Sequence, residues 1–257
     1  MAEIFHKGID VSYANGRIDW SGMKNKIDFA IIRCGFGGDF TSQDDVQFFN
    51  NVKGCKENGI PFGVYLYSYA TTVEKAESEA AHALRLLEGI VPSMPVFYDL
   101  EENRISSLGK TKILAIAKAF CSMIENAGYV SGIYANKNWF ENYLTDGWYD
   151  TKYKWLAQYN SSVTYTGRYD IWQYSQSGRI DGFSGSFDLN YCYFSVVSGD
   201  VDNDGKVTAS DARKVLRAAA QLDDLSGQPA LNADVDKDGS ISAADARSIL
   251  RKAAGLD

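Results

Sequence analysis

The chain has 257 residues and a formal net charge of −7, so it carries no excess of basic charge for binding nucleic acid. Hydrophobic residues make up 45% and charged residues 23%, as in globular proteins, and no apolar run reaches the roughly 20 residues that span a bilayer. We therefore expect one medium-sized domain with a small companion, and neither nucleic acid binding nor membrane insertion.

Eight strand-like segments alternate with helical stretches in the first part of the chain. In chain order they are KGIDVS, FAIIRCG, FGVYLYSYA, MPVFYDLE, YVSGIYAN, YKWLAQYN, YDIWQYS and FDLNYC. Helices are predicted at residues 44–57, 72–87 and 111–126. This alternation predicts a parallel sheet with helices outside it. Eight strands within residues 1–197 indicate an α/β fold, an irregular (β/α) barrel whose later strands lack full helices between them.

Acidic residues lie at the ends of several predicted strands. Asp10 ends the first strand, Asp99 and Glu101 end the fourth, and Asp188 lies in the eighth. Function in a parallel barrel sits at the carboxyl ends of the strands, and the first and eighth strands are neighbours, so these acids should converge. Carboxylates that converge without histidine or cysteine favour glycoside hydrolysis with no catalytic metal. The alternative is a set of structural acids that cap strand ends or pair with Arg33.

The last sixty residues contain an internal repeat of two similar units. GDVDNDGKVTASDARKVLRAAA begins at Gly199 and ADVDKDGSISAADARSILRKAAG begins at Ala233. Each reads D-x-D-x-D-G-x-[VI]-x-x-x-D, which places oxygen ligands at the positions that a twelve-residue calcium loop uses. The first loop offers Asp200, Asp202, Asp204, the Lys206 carbonyl, Thr208 and Asp211. The second offers Asp234, Asp236, Asp238, the Ser240 carbonyl, Ser242 and Asp245. We expect two calcium ions in a domain at residues 199–257, after a barrel at residues 1–197.

The barrel resembles a known enzyme family. The segments that carry the resemblance are KGIDVSYANGRIDW, FAIIRCGFGG, GVYLYSYA, PVFYDLEEN, GIYAN, KWLAQYN and IWQYSQSGRIDGFSGSFDLN. In this order they resemble the family-25 glycoside hydrolases, or Chalaropsis-type lysozymes, over nearly all of residues 4–194. The resemblance implies an N-acetylmuramidase that cleaves the β-1,4 bond between N-acetylmuramic acid and N-acetylglucosamine in peptidoglycan glycan strands. It implies that Glu101 is the general acid, with Asp99 beside it and Asp10 and Asp188 flanking it.

The spacing of Asp99 and Glu101 bears on the mechanism. Side chains at i and i+2 of a strand point the same way and cannot easily flank a sugar from opposite faces. This arrangement favours substrate assistance, in which the substrate's own acetamide oxygen attacks and Asp99 orients that group. The rival is an inverting reaction in which Asp10 or Asp188 holds the water. Arg33, Tyr65, Tyr134 and Trp155 are candidates for substrate binding, with a core or scaffold role as the alternative.

Two other functions stay open. A family-18 chitinase also places Asp-x-Glu at the fourth strand, but its DxxDxDxE signature needs aspartate where this chain has Met94 and Phe97. A non-catalytic barrel that only binds wall glycans would be expected to lack the acid, and Glu101 is present.

The repeated tail resembles type I dockerins, a small all-α family of calcium-binding modules. DARKVLRAAA and DARSILRKAAG follow the two loops, and position 12 of each loop is Asp rather than the Glu of a standard EF-hand. The resemblance implies docking onto a cohesin domain of a scaffolding protein, with contacts at Ala209-Ser210, Ala243-Ala244 and nearby arginines. We therefore expect an extracellular or cell-surface protein in a cellulosome-like complex. The opening MAEIFHKGID contains no signal-peptide pattern.

Overall fold

The structure is a computed structural model that describes residues 6–256. The described chain divides into two compact units, one of residues 7–192 and one of residues 193–256 together with residue 6. The division predicted from the sequence, at residues 197–199, stays a prediction.

Eight strands close into one barrel in chain order. They are β1 His6–Val11, β2 Phe29–Phe36, β3 Phe62–Tyr67, β4 Val96–Asp99, β5 Ser131–Asn136, β6 Tyr153–Ala157, β7 Ile171–Gly178 and β8 Phe187–Cys192. The pairs from β1–β2 to β6–β7 are parallel. The predicted eight-stranded barrel is confirmed.

The last strand runs the other way. β8 pairs with β7 in antiparallel register, which the predicted parallel sheet did not include. Only residues 179–186 connect the two strands, and a parallel crossover needs about a dozen residues or more. The reversal matters for the site, because the first residues of β8, rather than its last, lie at the carboxyl ends of β1–β7.

Helices surround the early strands. They are α1 Trp20–Met23, α2 Phe48–Asn58, α3 Val73–Leu86, α4 Asn103–Ser106, α5 Lys110–Asn126 and α6 Lys137–Asn142. α2 begins four residues later than the sequence predicts, because Asp44 and Asp45 are drawn into side-chain bonds with α3 and β2. α2 then ends at Gly59, whose φ of 67° suits a left-handed C-cap. No full helix separates β6 from β7, as predicted.

Aromatic side chains fill the barrel interior. The Trp155 ring is 1% exposed and contacts the rings of Tyr65, Phe97 and Tyr134 at centroid distances of 5.6, 5.4 and 4.4 Å. Edge-to-face contacts of this kind add to the free energy of burial. The floor of the barrel mouth is therefore a rigid aromatic cluster.

The second unit contains three helices, α7 Ala209–Ala219, α8 Gly227–Ala233 and α9 Ala243–Ala253. Its core consists of Val201, Ala212, Val215, Ala233, Ala246 and Ile249. Val215 and Ile249 occupy equivalent places in the two repeats, so each repeat covers the apolar face of the other. The sequence predicted α7 and α9 but not the short α8, which joins the repeats.

Within residues 6–256, no helix combines the length and the apolar character that crossing a membrane requires. The four cysteines are buried thiols.

Candidate active site

Four acidic side chains meet at the barrel mouth. Asp10 lies near the end of β1, Asp99 is the last residue of β4, and Glu101 follows two residues later. Asp188 is the second residue of β8, and the antiparallel direction of this strand brings it to the same mouth. Their charges act on one another, since Asp188 raises the pKa of Asp10, Glu101 that of Asp99, and Asp188 that of Glu101.

Asp10 has the densest hydrogen bonding of the four. Its Oδ2 accepts bonds from Gln173 Nε2 and Asn190 Nδ2, each 2.7 Å long. The charge of the neighbouring Asp188 acts against ionisation of Asp10 and adds to the effect of burial on the pKa of Asp10. Two neighbouring carboxylates repel each other, so full ionisation of the pair is disfavoured.

Burial and crowding favour the neutral forms of these acids. Burial, together with the charge of Asp188, raises the pKa of Asp10 to about 8. Burial and the charge of Glu101 raise the pKa of Asp99 well above its usual value, against the opposing effect of Arg33. Burial and then the charges of Asp188 and Glu102 raise the pKa of Glu101. A raised pKa is what a general acid near neutral pH requires.

Arg33 pairs with an acid, although not with one of the four. Its Nε donates to Asp45 Oδ2 at 2.9 Å, and the same oxygen accepts the Tyr13 backbone N–H. The guanidinium lies 4.8 Å from the centroid of the Tyr13 ring. Its buried Nη2 has no hydrogen-bond partner among residues 6–256. Arg33 thus lies at the mouth, where its charge acts on Asp99.

The three aromatic candidates differ in accessibility. Tyr65 is half-buried, Tyr134 is 5% exposed, and Trp155 is 1% exposed. Trp155 donates its indole N–H to Asn190 Oδ1 at 2.8 Å, and Tyr134 donates its hydroxyl to Gln173 Oε1 at 2.8 Å. Trp155 and Tyr134 therefore support the residues that hold Asp10, and their rings offer little surface to a sugar.

The sequence reasoning missed several residues of the mouth. Tyr67 is close enough to Glu101 for that charge to raise the Tyr67 pKa, and its ring lies 5.1 Å from the 38% exposed Tyr69. The alternation of tyrosine in YLYSY was a usable signal, because it puts Tyr65, Tyr67 and Tyr69 on one face. Gln173 and Asn190 gave no such signal, since a lone amide is common in any strand.

The two acidic loops of the tail have the donor set that calcium takes. Carboxylate oxygens of Asp200, Asp202 and Asp204 lie within 4.8 Å of one another, and so do those of Asp234, Asp236 and Asp245. Asp202 Oδ1 and Asp234 Oδ1 are buried and have no hydrogen-bond partner among the described residues. Gly205 and Gly239 make the sharp turns with φ of 83° and 87°. Hard oxygen donors with orphaned buried atoms fit a calcium ion.

The remaining predicted ligands take part in the loops in other ways. Asp211 Oδ1 accepts the Val201 N–H at 2.8 Å and its Oδ2 accepts the Thr208 N–H at 2.9 Å. Asp245 makes the equivalent bonds to Val235 and Ser242. Asp238 accepts from the Ser240 N–H and is outside the second carboxylate cluster. Thr208 and Ser242 cap α7 and α9, and Lys206 and Ser240 offer only their carbonyls.

Comparison with known proteins identifies both units. The sequence profile of the glycosyl hydrolases family 25 matches residues 9–183, more than half of the chain. The chain belongs to this family. It is a glycoside hydrolase of the lysozyme type, outside the chitinase family considered above. The type I dockerin domain profile matches residues 198–252, so this family-25 enzyme carries a dockerin region at its C-terminal end.

Three relatives illustrate the similarity. The autolytic lysozyme of Clostridium acetobutylicum is 25% identical over 236 residues, which cover 86% of this chain and 69% of the relative. The modular autolysin LytC from Streptococcus pneumoniae is 27% identical with a TM-score of 0.64, covering 74% of this chain but only 47% of LytC. A family 25 glycosyl hydrolase from Bacillus anthracis shares the fold, at 23% identity, a TM-score of 0.62 and coverage of 74% and 89%.

Proposed function

We propose that the barrel is an N-acetylmuramidase that cleaves the β-1,4 bond between N-acetylmuramic acid and N-acetylglucosamine in peptidoglycan. The observation that carries this proposal is the convergence of Asp10, Asp99, Glu101 and Asp188 in a family-25 barrel. The printed name of the clostridial relative, an autolytic lysozyme, agrees with this substrate class.

Glu101 is the proposed general acid. It lies just beyond β4, is half-buried, and makes no hydrogen bond to another described residue, so its proton is available to a leaving oxygen. Its raised pKa keeps it protonated above the usual glutamate range. After the bond breaks, the Glu101 carboxylate takes a proton from the water that completes hydrolysis.

Asp99 is the proposed partner of the substrate's acetamide group. It is 3% exposed, and its Oδ1 has no hydrogen-bond partner in the part of the chain that the structure describes. An acetamide N–H would supply the missing donor and favour the ionised form of Asp99. Held in this way, the acetamide oxygen can attack the anomeric carbon while Glu101 protonates the leaving oxygen.

The rival inverting mechanism needs a carboxylate that is free to hold a water. Asp10 is 5% exposed and already accepts bonds from Gln173 and Asn190, so it has little capacity left for that role. Asp188 is less buried than Asp10 and is therefore the better candidate to hold the water in the inverting mechanism. The assisted route predicts a β-configured reducing end as the first product, whereas the inverting route gives the α-anomer, and rapid NMR of the first product separates them.

Lysis of purified peptidoglycan tests the proposed activity. We expect the wild-type chain to lower the turbidity of a cell-wall suspension and to release soluble glycan fragments. A folded chain that binds the wall without releasing fragments would instead be a wall-glycan-binding protein.

We also propose that the tail binds two calcium ions and docks onto a cohesin domain of an extracellular scaffold, with the hydrolase at residues 1–197 and the dockerin at residues 199–257. The dockerin profile and the two carboxylate clusters support this proposal. Calorimetric titration of the chain with a panel of cohesin domains, with and without calcium, tests it. Absence of binding to every cohesin in calcium would count against it.

A further inference from the structure

One carboxyl group is buried in the wall of the barrel, apart from the four acids of the mouth. Glu79 on α3 is 1% exposed, and no lysine or arginine within residues 6–256 forms an ion pair with it. Its Oε2 accepts the hydroxyls of Ser68 and Tyr98 at 2.8 and 2.5 Å, and its Oε1 accepts the Tyr69 backbone N–H at 2.7 Å. Burial of a carboxyl group is tolerated only where its hydrogen bonds are complete, so Glu79 fixes the chain at residues 68–69.

These bonds hold the chain that leaves β3. Ser68 and Ala70 are fully buried, and the Ser68 N–H donates to the carbonyl oxygen of Asp99 at 3.1 Å. Tyr69, which lies between them, is 38% exposed. Its main chain is therefore held on both sides while its side chain reaches solvent. A side chain that is fixed before binding loses less conformational entropy when a ligand arrives.

The orientation of the Tyr69 ring is set by its neighbours. Phe36 at the end of β2 meets the ring edge to face at a centroid distance of 6.2 Å, and the Tyr67 ring lies 5.1 Å away at an interplanar angle of 55°. The Arg104 guanidinium lies 5.3 Å from the centroid of the Tyr69 ring, and Arg104 Nε donates to Glu102 at 3.1 Å. These contacts support the ring and leave part of its surface open.

Tyr69 borders the acids of the mouth. β3 and β4 are parallel neighbours, and Tyr67 lies opposite Asp99 in their register. Arg104, which lies over the Tyr69 ring, follows Glu101 by three residues in the chain. The ring thus lies at the carboxyl end of the barrel, beside the segment that carries Glu101. A polymer that reaches the acids from this side crosses the ring.

The chemistry of this surface suits a sugar. The C–H face of a β-linked N-acetylhexosamine is apolar and packs on an aromatic face, while its hydroxyl and acetamide oxygens accept hydrogen bonds. Both Nη groups of Arg104 are donors that make no bond to another residue in the described chain. We propose that Tyr69 is a sugar-binding residue for an N-acetylhexosamine next to the cleavage point, and that Glu79 is its positioning residue. The identity of the sugar rests on the proposed function.

Calorimetric titration with peptide-free glycan strands from peptidoglycan measures this contact. The full chain is used in calcium, in a Glu101→Gln background that prevents cleavage. Tyr69→Ala should weaken binding about tenfold, as truncation of an aromatic anchor does. Tyr69→Phe keeps the ring and should stay within about twofold. The matched control is Phe49→Ala on the outer helix α2, where the ring is 59% exposed, and it should change nothing. Tyr69→Ala that binds as tightly as its parent would overturn the proposal.

Kinetics on the same strands distinguish a sugar contact from an effect on the acids. Tyr69→Ala in the otherwise wild-type chain should raise KM and leave kcat nearly unchanged, because the ring contacts the sugar equally in the ground state and the transition state. A fall in kcat with an unchanged KM would mean that Tyr69 acts on the acids and not on the sugar, and would overturn the proposal.

A double-mutant cycle tests the positioning role of Glu79. Glu79→Gln keeps an oxygen for the Tyr69 N–H and should bind glycan like its parent, whereas Glu79→Met loses that acceptor at similar volume and should bind as weakly as Tyr69→Ala. Because Glu79 acts through Tyr69, adding Glu79→Met to Tyr69→Ala should cause no further loss. Losses that add in full, or equal losses in Glu79→Gln and Glu79→Met, would overturn this role. Tyr69→Ala and Tyr69→Phe keep the sugar contact testable should Glu79→Met fail to fold.

This inference and the proposed function can fail separately. A wild-type chain that releases no fragments, but whose glycan binding depends on Tyr69, would refute the proposed hydrolase alone. A chain that cleaves peptidoglycan with the same KM in the wild type and in Tyr69→Ala would refute this inference alone.

Discussion

At the scale of single residues, burial and charge repulsion both raise the pKa of the acids at the barrel mouth. Four carboxyl groups share a small space near the cation Arg33, which is itself paired with Asp45. Burial is the largest contribution to the raised pKa of Asp10, Asp99 and Glu101, and mutual repulsion adds to it. The site therefore holds protons at pH values where exposed acids have lost them.

Glu101→Gln tests the acid directly. The substitution keeps the size of the side chain and breaks no hydrogen bond within residues 6–256, so the fold should survive. Loss of a general acid lowers turnover by about 10²–10⁴-fold. Release of soluble fragments from peptidoglycan measures the loss, and intrinsic tryptophan fluorescence checks that the barrel is folded. Near-normal lysis by the folded variant would remove Glu101 from the mechanism.

Asp99→Asn tests the role of the charge beside Glu101. If the acetamide group needs an ionised partner, the amide at this position should reduce turnover severely, although it can still make hydrogen bonds. Steady-state kinetics on soluble glycan fragments should show a fall in kcat rather than a rise in KM. A change confined to KM would mean that Asp99 only binds the substrate.

The raised pKa of Asp10 predicts how stability depends on pH. The folded state holds this proton up to about pH 8, whereas the unfolded chain releases it near 3.8. Between these values the unfolded state binds fewer protons, so the free energy of unfolding falls as pH rises from about pH 4 to about pH 8. Asp10→Asn, which resembles the neutral acid, should flatten this dependence.

Urea unfolding at several pH values, followed by tryptophan fluorescence, measures this difference. All five tryptophans lie before residue 193, so the signal reports the barrel and not the tail. Equal slopes against pH in the wild type and in Asp10→Asn would contradict the prediction.

At the scale of elements, much of the barrel could be predicted, because each strand is an apolar run bounded by turn residues. The direction of β8 could not be predicted from its own residues, since apolar alternation is the same in either direction. It follows from the short connection at residues 179–186. The sequence placed Asp188 at the mouth by its strand number, but the structure places it there because the strand is reversed.

The residues of the candidate site likewise fall into those that could be predicted from the sequence and those that could not. Asp10, Asp99, Glu101 and Asp188 could be found because acids at strand ends are unusual. Gln173, Asn190 and Tyr159 could not, because their role depends on which side chains the closed barrel brings opposite them. Trp155 was predicted for sugar binding, but its burial depends on its three aromatic neighbours, which only the closed barrel brings together.

The calcium loops give a prediction about a whole element. Three aspartates crowd each loop, and without a cation their repulsion opposes folding of the tail. Chelator should therefore raise hydrogen exchange across residues 199–256 and leave the barrel and its lysis largely unchanged. The double variant Asp200→Ala, Asp234→Ala should behave in the same way in calcium, whereas Asp224→Ala, an exposed control outside both loops, should not. Equal loss of lysis and tail structure in chelator would contradict the independence of the two units.

At the scale of the whole molecule, the tail presents two similar surfaces. Leu216 on α7 and Leu250 on α9 occupy equivalent places and are 45% and 43% exposed. The nearby arginines differ in their contacts, because Arg217 is paired with Asp223 whereas Arg251 donates to the Leu256 carbonyl. The two surfaces should therefore both bind a cohesin, with unequal affinity.

Arginine substitutions test whether the tail has one docking surface or two. Changing Arg213 and Arg217 to alanine should weaken cohesin binding modestly, because the second surface remains. Combining them with Arg247→Ala and Arg251→Ala should weaken it severely. Calorimetric titration with one cohesin measures both effects, and complete loss of binding from the first pair alone would mean that only the first repeat docks.

We expect this chain to cut peptidoglycan on the reducing side of N-acetylmuramic acid. Mass spectrometry of the fragments released from purified peptidoglycan, after reduction of their new ends, identifies the bond that is cut. We predict that the reduced sugar in every fragment is N-acetylmuramic acid and that the Glu101→Gln variant releases almost none. Reduced ends that carry N-acetylglucosamine, or fragments cut only in the peptide, would contradict N-acetylmuramidase activity.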